Sequence, residues 1–118
     1  MGKKADMVID VLGTQYKVFK NVMPTEDPIL NDCNGYFDKT THSIVICGRT
    51  QECNLGDFNT FEKATLRHEI IHAFLYESGH SACTTWMGQG EEHPEHMVEW
   101  LAIMFPKMAK TFKEAGAL

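Results

Sequence analysis

Two histidines and a glutamate, in the run His68-Glu69-Ile70-Ile71-His72, are the residues whose types and spacing point most directly to chemistry. On a helix, positions i and i+4 share one face with Cβ atoms about 5–6 Å apart. Both imidazoles then reach a single tetrahedral zinc at about 2.0–2.1 Å. Glu69 follows His68 by one residue and points about 100° further round the helix. It is poorly placed to ligate beside them and well placed to meet a water at the metal's open position. Zinc lowers the pKa of such a water to about 7, and a neighbouring carboxylate takes its proton. This is the mechanical basis of the His-Glu-x-x-His pattern. Leu66, Ile70, Ile71, Ala73, Phe74 and Leu75 surround the motif, so the helix is expected to be buried on several sides. Two imidazoles and a carboxylate in such a setting need a compensating partner.

A third ligand must come from elsewhere. The candidates are Glu95, Glu99, His80, His93 and His96. Glu95 falls in the first turn of the next expected helix. Glu99 follows one turn later, and a carboxylate pair so spaced suits one ligand and one partner that orients a ligand histidine. Hydrolysis also needs a donor for a developing oxyanion. Tyr76, one turn past His72, is the first choice, with the remaining histidines behind it. Trp86 is a candidate for a specificity pocket or a core cap. A third histidine six residues after His72, as metzincins require, is absent, because position 78 is Ser.

The elements that must position these groups can be read from pattern. Residues 7–12 alternate apolar and polar, and residues 16–19 repeat the alternation after Gly13, which predicts a hairpin. Residues 21–34 carry Pro24, Pro28, Asn31, Asp32 and Asn34, the chemistry of a loop. Residues 35–38 and 43–47 predict a second hairpin, the latter strand rich in β-branched residues. A helix is expected from Asn59, as cap with Glu62 three residues on, to Ser78, ending at Gly79. A second is expected over about residues 93–105, with Pro94 in its first turn and Pro106 ending or kinking it. A short last helix over about residues 107–115 stops at Gly116. The expected fold class is α+β, a small antiparallel sheet packed on the motif helix and a second, ligand-bearing helix.

Bulk properties bound the function. A chain of 118 residues is one ordinary domain and can bury a core without staples. The net charge of −5 lacks the basic footprint of nucleic-acid binding. Lys107, Lys110 and Lys113 read as a solvated helix face, and Met97, Met104 and Met108 as core filler. No apolar run approaches the roughly 18 residues of a membrane span, and no apolar signal core follows the basic start, so a cytoplasmic protein is expected. Cys33, Cys47, Cys53 and Cys83 contain no C-x-x-C spacing and are expected to be reduced thiols.

The residues Arg67-His68-Glu69-Ile70-Ile71-His72-Ala73-Phe74, then Glu95-x-x-x-Glu99-Trp100-Leu101-Ala102, then Pro106, resemble the compact ImmA/IrrE-like metallopeptidases and related phage-encoded proteins. These are zincin-like enzymes of the gluzincin type. The resemblance covers about residues 35–106. It implies a zinc site of His68, His72 and Glu95, Glu69 as general base and Glu99 in support of a ligand histidine. It also implies that residues 43–47 form an edge strand beside the motif helix, where an extended peptide substrate adds. His96-Met97 departs from the Ala-Asn usual in that family, and residues 79–92 match none of its patterns. The expected function is therefore a zinc-dependent peptidase. Readings of other classes are a non-catalytic zinc-stabilised module that binds a protein, and a metal-dependent hydrolase of a non-peptide bond. Ligand type favours zinc while admitting manganese, cobalt or iron.

Overall fold

The computed structural model describes residues 3–80 and 95–118, with the backbone alone at 95, 96, 98, 99 and 102. Strands β1 (Met7–Val11) and β2 (Thr14–Val22) form an antiparallel hairpin. The two turn residues, Leu12 and Gly13, both have positive φ, at 51° and 95°. That is the primed two-residue turn whose twist matches the strands it joins. A short 3-10 helix, Pro28–Asn31, follows, capped by the Asp27 side chain on the Ile29 amide. Then come β3 (Gly35–Asp38) and β4 (Ser43–Cys47), again an antiparallel hairpin.

The sheet order is β1-β2-β4-β3, and β2 pairs with β4 in parallel. The fold is α+β as expected, but the sheet is mixed rather than purely antiparallel. The expected edge strand is also corrected. β4 lies in the interior of the sheet, and β3 is the outer strand. The reason lies in the residues: Ile44, Val45 and Ile46 are all buried, so β4 is covered on both faces. A near-continuous apolar run of this kind belongs between neighbours, not at an edge. Every residue of β3 is only partly buried.

One face of the sheet carries Ile9, Val11, Tyr16, Val18, Ile44 and Ile46 into the main core, where they meet Leu66, Ile70, Ala73 and Phe74 of helix α1 (Phe58–Glu77). Helix α2 (Glu95–Glu114) adds Trp100, Met108 and Phe112. On the opposite face, Val22, Leu30 and Val45 form a smaller cluster beneath the 3-10 segment.

Helix α1 is capped two residues earlier than expected. Asp57, not Asn59, is the cap, accepting from the Thr60 amide at 3.1 Å and the Thr60 hydroxyl at 2.7 Å. A carboxylate that takes two donors outcompetes the Asn–Glu box, and these bonds hold its pKa below the usual carboxylate value. The other end is as expected: Gly79 has φ 85°, its amide bonds Tyr76 O, and the His80 amide bonds Leu75 O, a Schellman stop. Gly116 closes α2 the same way, through Gly116 N to Lys113 O and Ala117 N to Phe112 O.

Pro106 neither ends the second helix nor separates a third, because α2 runs through it for 20 residues. Pro106 lies on the exposed side of the helix. Trp100 before it and Met108 and Phe112 after it are buried in the same core, which keeps the two halves in line. Met108 is buried and Met104 packs at the margin, in keeping with a filling role. Among the described residues, no helix is long and apolar enough to cross a membrane.

Candidate metal centre

The histidine pair is held by the apolar stripe behind it. Leu66, Glu69, Ile70, Ala73 and Phe74 turn one side of α1 into the core, which leaves His68 and His72 on the opposite, exposed side. Their rings converge, with Nε2 to Nε2 at 3.2 Å and centroids 4.9 Å apart. Two nitrogen ligands of a tetrahedral zinc, each at about 2.0–2.1 Å, stand about 3.3 Å from one another. The separation of the two nitrogens is thus compatible with two ligands of one such ion. Without a cation, the same separation accommodates an N–H···N bond between the rings.

Desolvation first, and then the charge of His68, pull the His72 pKa below its ordinary value. That shift favours the neutral ring, which has a lone pair to give. Phe37 of β3 stacks on it, centroids 6.4 Å apart and planes within 13°. Phe37 also touches Tyr76 at 6.0 Å and Tyr16 at 5.8 Å.

Glu69 is 7% exposed, buried where its two histidine neighbours are not. Burial raises its pKa above the usual carboxylate value, and the His68 charge opposes the rise. His68 and Glu69 nonetheless share a cleft of about 410 Å³, whose far wall is Cys33, Asn34 and Gly35. β3 starts with glycine where it borders this cleft. A Cβ at Gly35 would stand 2.9 Å from Val45 O of β4 and 3.1 Å from Thr65 Cγ2 of α1, so glycine suits a strand start packed against both.

The remaining expected site residues fall as follows. Tyr76 sits on the histidine side of α1, its ring between Phe37 and the Lys39 ammonium, which stands 5.6 Å from the ring centroid. His80 packs edge-on against Trp100, centroids 5.9 Å apart, at the end of α1. Glu95 and Glu99 lie in the first two turns of α2, but their side chains are outside the described residues, as is that of His96. His93 and Trp86 lie outside them altogether. Among the described residues, no group of three His, Cys, Asp or Glu side chains is arranged to hold a metal.

Sequence reasoning missed Gly35, Phe37 and Cys33 as neighbours of the site. The period-two alternation of β3, which puts Gly35 and Phe37 on one face, was the available signal for the first two. Nothing in the sequence marked Cys33.

No protein-family model matches the chain, and no curated protein or solved structure matches it.

Proposed function

We propose that this chain is a zinc-dependent peptidase that hydrolyses a peptide bond with Glu69 as general base. The observation that carries the reading is the convergence of His68 and His72 Nε2 atoms at 3.2 Å beside the buried carboxyl of Glu69. His68 and His72 hold the ion, and Glu95 completes the ligand set on the resemblance to ImmA/IrrE-like gluzincins, with Glu99 supporting a ligand ring. A bound zinc supplies an acidified water and a Lewis acid for the scissile carbonyl.

The rest is the work of the chain's own groups. Glu69 is desolvated, so it binds a proton more tightly than an exposed carboxylate does. That suits a group that takes a proton from the nucleophile and then returns it to the leaving amine. Tyr76 offers a phenol for the developing oxyanion. β3, the edge strand on the α1 cleft side, offers backbone groups to an extended peptide. The cleft at Gly35 directs that peptide past His68 and Glu69.

The test compares the zinc-loaded chain with Glu69→Gln on unstructured polypeptide substrates. The substitution is expected to leave zinc content unchanged and to slow cleavage by about 10²–10⁴-fold. Equal cleavage by Glu69→Gln removes the base assignment. A parent chain that holds one zinc yet cleaves nothing favours the protein-binding module instead.

A further inference from the structure

Phe37 has no part in the reaction described above, yet its ring touches three others on the histidine side of α1. It is partly buried at the edge of the main core. It lies nearly parallel to His72, with centroids 6.4 Å apart and planes within 13°. It is tilted against Tyr76 at 6.0 Å and against Tyr16 at 5.8 Å. All three separations fall in the range of about 4.5–7 Å over which paired rings attract. Phe37 is itself held from two sides. Its backbone pairs with the buried Ile44 of β4. Tyr16 is fully buried, and its hydroxyl donates to Glu77 Oε2 at 2.6 Å, while the Thr14 hydroxyl donates to Glu77 Oε1 at 2.7 Å. Glu77 is the last residue of α1, the helix that also carries His72. The contacts thus begin and end on one helix: Glu77 holds Tyr16, Tyr16 backs Phe37, and Phe37 faces His72.

We propose that Phe37 is a positioning residue for the metal centre: its ring fixes the plane of the His72 imidazole, so that Nε2 is turned toward that of His68 before an ion binds. His72 is an exposed residue on a helix surface, and an exposed side chain gives up rotamer freedom when it takes a ligand. A flat ring already lying against the imidazole removes part of that cost in advance. Leucine at position 37 keeps the apolar bulk beside α1 but offers no face to stack on. Tyrosine keeps the face. The inference rests on the zinc-binding half of the proposed function and is independent of peptide hydrolysis.

The zinc Kd of the full chain is measured by competition with a chromophoric chelator, and the cobalt-loaded chain is followed by its visible absorption. Phe37→Leu is expected to raise the zinc Kd about 2–10-fold and to alter the cobalt bands. Phe37→Tyr is expected to keep both close to the parent. Ile44→Val, opposite Phe37 in the sheet, loosens the same core. It is expected to lower the thermal midpoint and to leave the zinc Kd and the cobalt bands where they were, which separates positioning from mere support of the fold. The inference is overturned if Phe37→Leu binds zinc as tightly as the parent, if Phe37→Tyr weakens binding as much as Phe37→Leu does, or if Ile44→Val weakens it equally. Any of these, with His72→Ala still weakening binding, removes the role of Phe37 and leaves the histidine pair in place. A parent chain that binds no zinc removes the metal reading and this inference together.

Discussion

Adding zinc to chelator-treated protein is expected to raise its thermal midpoint by about 11 °C at a free concentration of one hundred times the dissociation constant. The magnitude follows from linkage. A ligand that binds only the folded chain at that ratio contributes about 2.7 kcal/mol. For 118 residues, the unfolding entropy is about 0.25 kcal/mol/K, and the quotient is the shift. The structure enters through the histidine pair. Its 3.2 Å nitrogen separation is close to that of two ligands on one tetrahedral ion. His72→Ala takes away one of the two convergent nitrogens. If that weakens binding about a hundredfold, the same zinc concentration contributes only about 0.4 kcal/mol, a shift of about 2 °C. The assay is differential scanning calorimetry with and without zinc, repeated on His72→Ala, on the double variant His68→Ala/His72→Ala, and on Cys33→Ser. Cys33→Ser is expected to keep the full shift. A shift that survives intact in the double histidine variant places the zinc elsewhere and refutes the reasoning from the pair.

Further outcomes follow from the same structure. Gly35→Ala puts a methyl 2.9 Å from the Val45 carbonyl oxygen; it is expected to cost about 1–3 kcal/mol in urea unfolding and to weaken zinc binding by pushing β3 off α1. Tyr16 donates to Glu77 Oε2 at 2.6 Å, and burial, then that bond and the Glu77 charge, raise its pKa well above 10.0. Because the folded pKa is the higher one, its stabilisation is complete below pH 10.0 and is lost as the unfolded chain sheds the proton above it. Urea midpoints should therefore fall progressively from about pH 10 upward, and less steeply in Tyr16→Phe. A fall of the same slope in both proteins counts against this account. Pro106→Ala restores a helical amide in the middle of α2 and is expected to raise stability by about 1–3 kcal/mol, read from the denaturant midpoint. An unchanged or lower midpoint would mean that α2 had already accommodated the proline.

The legible parts of the fold were those written in local chemistry. The two hairpins follow from alternation around Gly13 and around residues 39–42. The ends of α1 and α2 follow from Gly79 and Gly116, because few other residues hold a positive φ at a helix stop. The placement of His68 and His72 on one side of a helix follows from 3.6 residues per turn alone. Pro106 was misread for a reason of the opposite kind. Its local cost is real, but Trp100, Met108 and Phe112 lie far enough either side of it to be held by the core rather than by helix propensity.

Sequence by itself thus determined the α+β class, the motif helix and the face that its imidazoles share, all from periods and caps that act over a few residues. Tertiary structure alone decided that β2 and β4 run parallel, that β3 rather than β4 is the outer strand, and that Gly35 and Cys33 wall the cleft at His68 and Glu69. Strand order depends on which surfaces bury together across the whole chain. Residues 33–35 meet residues 64–69 only after β4 has taken its place in the sheet, and no short-range pattern encodes that meeting.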